Sequence, residues 1–148
     1  MRRSTKQWMN IFFDMDYTLI GGMDGAQRPG VRDVMERLKA DGHDLYVWSG
    51  VGLRWGDVQH LGIKHLITDC FVKPMANYYR AMKEMNLPVE PDMVVDDFPV
   101  VADAFGGICI PAFNHHNPED RVMERVYDVI NEYIENGYSS DTIFRPKK

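Results

Sequence analysis

The sequence has little cysteine and no excess of positive charge, and each shortage excludes a class of protein. Its two cysteines, Cys70 and Cys109, lack the spacing of a zinc ribbon or a disulfide scaffold, so we expect buried thiols in a reducing cytoplasm. Acidic residues outnumber basic ones 22 to 17, which gives a net charge of −5. The basic residues are also scattered, so a nucleic-acid partner is disfavoured.

Long hydrophobic runs, repeats and low-complexity tracts are also missing. No run approaches the ~18 apolar residues of a membrane-spanning helix, and the first one, Ile11–Phe13, is too short for a signal peptide. A chain of 148 residues that is 45% hydrophobic predicts a single domain over residues 1–148, with its core at about 9–137. The last segment, 138–148, has no clear periodicity, and we expect it either to be disordered or to reach a partner subunit.

What the sequence does contain is an alternation of short hydrophobic runs and amphipathic helical patterns. Helical patterns begin at Pro29, at Pro74 and at Asn117, and the last of them ends at Gly137. The alternation predicts an α/β fold, a Rossmann-like three-layer sandwich around a mostly parallel five-stranded sheet. The predicted strands are Ile11–Phe13, Leu45–Trp48, Leu66–Val72, Met93–Val95 and Ile108–Ile110.

In sheets of this kind, ligands bind beyond the carboxyl ends of the strands, so polar residues at those ends are the candidates. Asp14 and Asp16 follow the first strand, and Thr18 comes four residues after Asp14. One carboxylate and a nearby backbone carbonyl can bind the same hard cation while the second carboxylate points elsewhere. The alternative is a solvated pair of aspartates in a turn.

Further polar residues follow the later strands. Ser49 and Gly50 can hydrogen-bond a phosphoryl group, although such a pair also serves as a simple cap or turn. Lys73 precedes a proline, which we expect to place its ammonium at the start of a helix; the alternative is a solvated lysine. Asp96 and Asp97 are adjacent and repel each other unless a cation or a proton is shared, and a metal ion is the favoured explanation.

Taken in order, the four patterns hhhDxDxT, hhxSG, KP and hhhDD resemble the motifs of the haloacid dehalogenase superfamily of phosphohydrolases, over about residues 11–110. The resemblance implies that Asp14 is the nucleophile and Asp16 the general acid and base. Tyr17 stands where many members have glycine. An aromatic residue at this position resembles the magnesium-dependent phosphatase-1 type and some nucleotidases. The implied phosphate ligands are Ser49, Gly50 and Lys73, and the implied Mg²⁺ ligands are Asp14, Asp96, Asp97 and the backbone of Asp16.

The donors at the implied metal site are all hard oxygen atoms. No cysteine or histidine stands at metal-ligand spacing among them, so Mg²⁺ is favoured over Zn²⁺. Whether Asp97 binds the ion directly or through water is open at this point.

Large cap domains of this family enter after the first motif or between the second and third. Here only residues 19–28 and 50–72 fill those places, so we expect no cap domain. The glycines Gly21, Gly22 and Gly25 predict a short mobile flap instead. An open site suits a macromolecular or bulky phosphorylated substrate, or a small one enclosed by a neighbouring subunit of a homo-oligomer.

With no cap, substrate specificity is expected to come from loop residues at the rim. Arg54 and Trp55 follow the second motif by about one and a half turns, and His115 and His116 lie in the loop after the fifth strand. We expect these four, with Thr18, to contact the substrate; the alternative is that they are solvated or packed on the surface. The methionine-rich face from Met75 to Met85 is expected to be core.

The sequence therefore predicts an enzyme, a Mg²⁺-dependent phosphomonoester hydrolase that works through an aspartyl phosphate. A phosphotransferase of the same fold is the near alternative. A receiver-type phosphoacceptor module also carries acids, a hydroxyl and a lysine on a parallel sheet, but there the acid pair comes first and the lysine last. A non-catalytic binding protein is a further alternative, which the presence of both Asp14 and Asp16 disfavours.

Overall fold

The hydrophobic runs and helical patterns form an α/β fold, as expected, in the computed structural model, which describes residues 8–147. The strands are β1 (Asn10–Asp14), β2 (Asp44–Ser49), β3 (Ile67–Val72), β4 (Met93–Asp96), β5 (Gly107–Cys109) and β6 (Phe144–Arg145). The α-helices are α1 (Val31–Ala40), α2 (Trp55–His60), α3 (Tyr78–Met85), α4 (Pro99–Phe105) and α5 (Val122–Asn136), and a 3-10 helix spans Lys64–Leu66.

The strands form one sheet in the order β3-β2-β1-β4-β5-β6. All neighbouring strands are parallel except β5 and β6, which are antiparallel. From β1 the chain order runs outward through β2 and β3 on one side and through β4 and β5 on the other. The crevice of such a sheet lies at this switch point, beyond the carboxyl ends of β1 and β4. The fold therefore places the end of β1, Asp14, at the position where ligands bind.

The core lies on both faces of the sheet. Successive strand residues point to opposite faces, and accordingly Ile11 and Phe13 belong to one buried cluster while Phe12 belongs to the other. Helices α1, α2 and α5 contribute buried residues to the first cluster, and α3 and α4 contribute to the second. The result is three layers, a sheet between two layers of helices, which makes the strand ends a rigid platform.

A fully buried arginine ties the loops at the carboxyl end of the sheet together. Arg28 forms two hydrogen bonds to the carboxylate of Asp120, at 2.9 and 3.0 Å. It also donates to the backbone oxygens of Thr18, at 3.2 Å, and of Pro111, at 3.0 Å. Removing one partner of such a buried pair costs about 3–5 kcal/mol, so this cluster holds the segment after β1 against the loop after β5.

The segment expected to be a mobile flap is fastened to its surroundings. The N–H of Gly21 donates to Ala26 O (2.7 Å), and the N–H of Gly22 donates to Phe113 O (3.0 Å). The N–H of Phe113 in turn donates to Tyr17 O, at 2.8 Å. The glycines serve these close backbone contacts, and the mobility of the segment stays a prediction.

The sheet has six strands rather than the expected five. The additional strand, β6, lies in the segment 138–148, where Phe144 pairs with Ile108 of β5. A two-residue strand has no periodicity that a sequence pattern could reveal. Lys148, the last residue of that segment, lies outside the described residues, as do residues 1–7.

All three predicted helices begin later than expected, α1 by two residues and the other two by more. Helix α3 starts at Tyr78, because Asn77 has a φ of 50° and a ψ of 51° and interrupts the run from Pro74. Helix α5 starts at Val122 rather than at Asn117 but does end at Gly137, which has a φ of 81°. Among the methionines expected in the core, Met82 is buried, whereas Met75 and Met85 are exposed.

Cys70 and Cys109 are both free thiols, the first buried and the second partly buried. Within residues 8–147, no helix combines the length and the hydrophobicity needed to cross a membrane.

Candidate active site

Four neighbouring strands bring polar side chains to one edge of the sheet. Asp14, Ser49 and Asp96 are the last residues of β1, β2 and β4, and Lys73 directly follows β3. The backbone N–H of Lys73 donates to Ser49 O at 2.9 Å, which holds the ends of β2 and β3 together. Residues from four sequence motifs thus meet at the switch point.

Lys73 forms the central contact of the site. Its Nζ atom lies 3.0 Å from Asp14 Oδ1 and 2.9 Å from Asp96 Oδ2, and all three side chains are almost completely buried. Burial by itself would lower the pKa of Lys73, but the charges of Asp14 and Asp96 outweigh it and raise that pKa. The lysine is therefore a fixed ammonium rather than a proton donor.

Thr18 links the nucleophile candidate to Asp97. Its hydroxyl lies 3.2 Å from Asp14 Oδ2 and 3.4 Å from Asp97 Oδ1, so it can donate to either carboxylate. The side chain is fully buried and is not part of the cavity lining. The expected contact of Thr18 with substrate stays a prediction that this burial does not support, and its hydroxyl is placed to orient carboxylates.

Three carboxylates at this edge stand close enough to share a cation. Asp14, Asp96 and Asp97 each offer an oxygen, and these oxygens lie within 4.8 Å of one another. Lys73 balances only one of the three negative charges, so a hard divalent ion fits the donor set and the charge. The side chain of Asp16 is not in this group, and the metal contact through its backbone stays a prediction.

Burial is the main influence on the pKa values of the three acids. Burial raises the pKa of Asp14 to about 6, although Lys73 opposes the shift. Burial, followed by repulsion from Asp14, raises the pKa of Asp96 to about 6 as well. Burial also raises the pKa of Asp97. Keeping these buried carboxylates charged is therefore costly without a further cation.

Asp16 is held by an arginine rather than by the metal group. Arg54 Nη1 and Nη2 donate to the two carboxylate oxygens of Asp16, at 2.6 and 2.9 Å. Arg54 Nε donates to Asp57 at 2.7 Å, and Nη1 lies 3.2 Å from Ser49 Oγ. The guanidinium, whose side chain is only 15% exposed, thus connects the second carboxylate to the end of β2.

None of the four expected rim residues lines the cavity at this edge. Arg54 turns toward Asp16, and Trp55 packs on the buried cluster that α1 and α5 share. His115 and His116 are exposed in the loop after β5, where the N–H of His116 donates to Asp24 at 2.8 Å. The expected substrate contacts of these four stay predictions, and the lining of this cavity does not support them.

The cavity itself has a volume of about 320 Å³. Five charged side chains form its floor, those of Asp14, Asp16, Lys73, Asp96 and Asp97. Its lining comprises Asp14, Asp16, Tyr17, Ser49, Gly50, Val51, Lys73, Pro74, Met75, Tyr78, Asp96, Asp97, Phe98 and Val101.

A larger cavity of about 430 Å³ lies at the opposite edge of the sheet, where β4 and β5 begin. Glu90, Arg145 and Lys147 are among its lining residues. Its lining contains no residue of the three-carboxylate group, which is the one such group found within residues 8–147. The smaller cavity is therefore the candidate active site.

Two close contacts explain the glycines at positions 22 and 50. Tyr17 has a φ of 64°, in the left-handed region that favours glycine, and its ring lies against Gly22, where a Cβ atom would collide with it. A Cβ atom on Gly50 would collide with Met75 Sδ, so glycine lets the methionine lie over the end of β2. Sequence patterns alone did not indicate Val51, Met75 or Phe98 as part of the site.

Comparison with known proteins assigns no family: no family model matches the chain, and no curated protein matches it. Its function is therefore inferred from the residues and their geometry.

We expect the substitution Asp14→Asn to stabilise the protein when no metal is bound. The carboxamide keeps an oxygen for Lys73 and removes one of three clustered negative charges. The free energy of unfolding should rise by about 1–3 kcal/mol near neutral pH. Asp14 has a pKa of about 6 when folded, against 3.8 for the free group, so the folded wild type takes up a proton as pH falls through 6. The advantage of the variant should shrink accordingly.

Denaturant unfolding in a chelator, at about pH 7.5 and about pH 5, measures this difference. Asp128→Asn, on the exposed face of α5, is the matched control and should change stability by less than about 0.5 kcal/mol at both pH values. A less stable Asp14→Asn protein at the higher pH would contradict the excess of negative charge.

Proposed function

We propose that this chain is a phosphomonoester hydrolase of the haloacid dehalogenase type, without a cap domain, that acts through an aspartyl phosphate on Asp14. The observation that carries the proposal is the shared contact of Lys73 with Asp14 and Asp96 at the switch point, 3.0 and 2.9 Å long. Four motifs that resemble this family supply the residues of that edge in the expected order. The free thiols Cys70 and Cys109 support a cytoplasmic setting.

Asp14 is the proposed nucleophile. Lys73 holds its Oδ1 atom, and the Thr18 hydroxyl lies within hydrogen-bond distance of its Oδ2 atom, so the carboxylate has one orientation. A carboxylate oxygen attacks phosphorus, the new O–P bond forms, and the bond from phosphorus to the leaving oxygen breaks. Lys73, Ser49 and Gly50 line the same cavity and are the groups proposed to hold the phosphoryl oxygens.

The metal is proposed to be Mg²⁺, held by Asp14, Asp96 and Asp97. Their oxygens have the spacing and the hard donor chemistry for it, and the unbalanced negative charge favours a divalent cation. When bound, such an ion neutralises charge on the phosphoryl group during transfer.

Asp16 is the proposed general acid and base. It gives a proton to the leaving oxygen, and afterwards it takes one from the water that attacks the phosphorus of the aspartyl phosphate. The bond from phosphorus to the Asp14 oxygen then breaks, which releases inorganic phosphate and restores the Asp14 carboxylate. Since both of its oxygens accept bonds from Arg54, one of those bonds opens whenever Asp16 carries a proton. Arg54 is therefore proposed as a positioning residue, which keeps Asp16 at the cavity through the remaining bond.

The direct test of the proposed function is hydrolysis of p-nitrophenyl phosphate. Wild-type protein should turn the substrate over with Mg²⁺ and stop in excess chelator. Asp14→Asn should lose at least about three orders of magnitude in kcat, because the nucleophile is gone. Asp128→Asn should match the wild type. Near-normal activity of Asp14→Asn, or full activity in chelator, would contradict the proposal.

A second test separates the role of Arg54 from a structural one. A series of substituted phenyl phosphates varies the leaving-group pKa at nearly constant shape. Without Arg54, Asp16 is misplaced and donates its proton to the leaving oxygen less well. Phenolate needs this proton to leave, whereas nitrophenolate leaves with little help from an acid. Arg54→Met should therefore lower kcat about tenfold for phenyl phosphate and less than about threefold for p-nitrophenyl phosphate.

Arg54→Lys should fall between wild type and Arg54→Met, because a lysine keeps one contact to Asp16. Arg80→Met, on the exposed surface of α3, is the control. An equal loss of kcat across the whole series would assign Arg54 to the support of the fold, and no loss at all would show that Asp16 does not need it.

A further inference from the structure

The mouth of the candidate active site is lined by exposed apolar side chains. Val51, Met75 and Phe98 are 83%, 70% and 52% exposed, and Tyr17 is partly exposed beside them. We call these four residues the apolar mouth. Each comes from a different loop, directly after β1, β2, β3 or β4. Single exposed apolar residues are common on proteins, but here four independent loops direct them to one cavity.

The charged groups of the cavity leave no partner for a second anion. Within residues 8–147, its charged side chains are four aspartates and Lys73. Lys73 already faces two of the aspartates, and the nearby Arg54 is bound to Asp16 and Asp57. A leaving group with a carboxylate or another phosphate would therefore meet net repulsion.

Hydroxyl-rich leaving groups also find few partners in the apolar mouth. Apart from the phenol groups of Tyr17 and Tyr78, the polar side chains of the cavity belong to the floor, where the phosphoryl group binds. A sugar placed against Val51, Met75 and Phe98 would lose hydrogen bonds to water without replacing them. An apolar group at the same place would instead remove exposed apolar surface from water.

We propose that the site takes phosphomonoesters whose leaving group is uncharged and apolar. This inference rests on the proposed phosphatase function and adds the substrate class to it. The phosphoryl group lies on the charged floor, and the leaving group lies in the apolar mouth. Met75 suits this role because its unbranched, flexible side chain adapts to the shape of the group that it contacts.

Two substrates of nearly equal size and leaving-group chemistry test the proposal. Cyclohexylmethyl phosphate and glucose 6-phosphate are both primary alkyl phosphates on a six-membered ring, and they differ mainly in the hydroxyl groups. With Mg²⁺, kcat/KM should be at least about thirtyfold higher for cyclohexylmethyl phosphate, and most of the difference should lie in KM. Equal efficiency, or a preference for glucose 6-phosphate, would overturn the inference.

Variants of the mouth test whether it causes the preference. Met75→Ser and Phe98→Ser should each reduce the ratio of the two kcat/KM values by about tenfold. Met23→Ser is the matched control, because Met23 is equally exposed, at 75%, but does not line the cavity. An unchanged ratio in both mouth variants would overturn the inference.

Binding keeps the inference testable if turnover fails. Asp14→Asn protein with Mg²⁺ is titrated with each of the two phosphates in a calorimeter. Cyclohexylmethyl phosphate should bind at least about tenfold more tightly, with a more negative heat-capacity change. If wild-type protein does not hydrolyse p-nitrophenyl phosphate, the proposed function alone is overturned. If the two phosphates bind equally, the inferred preference for an apolar leaving group alone is overturned.

Discussion

The contact of one buried ammonium with two buried carboxylates is the constraint on which this site depends. Lys73 directly follows β3, which is an edge strand of the sheet. Its Nζ atom contacts Asp14 and Asp96 at the ends of β1 and β4. It can do so because Val72 pairs with Ser49 and the two strands end together. Buried charges are costly unless they are paired, so these three side chains are satisfied only while the parallel sheet holds the three strand ends together.

The same charges account for the rest of the site. Lys73 balances one of the three charges of Asp14, Asp96 and Asp97, and the remaining negative charge favours a divalent cation. Without a cation, these buried carboxylates lower the free energy of unfolding. Above this floor the walls are apolar. These side chains are exposed to solvent, so their surface is removed from water only when a bound group covers them. In the proposed function, the charged floor serves hydrolysis and the apolar mouth serves selection of the leaving group.

The parts that could be predicted from the sequence are those that a local pattern determines. Hydrophobic runs ending in Asp14 or Asp96 predict buried strands, and parallel strands necessarily bring their carboxyl ends together. The strand β6 could not be predicted, because two residues carry no period. The role of Arg54 could not either, since the direction of a loop side chain is set by tertiary contacts, here with Asp16. The apolar mouth likewise emerges only when separate loops are brought around one cavity.

The central claim is that a carboxylate at the end of β1 carries the phosphoryl group during turnover. Rapid mixing of the Mg²⁺-loaded protein with p-nitrophenyl phosphate, quenching in acid and peptide mapping by mass spectrometry test it most directly. The account predicts a single phosphoryl group on the peptide that contains Asp14, formed and lost at the rates of turnover. A phosphoryl group on any other residue, or no phosphorylated peptide in a reaction that releases a burst of p-nitrophenol before the steady state, would contradict it.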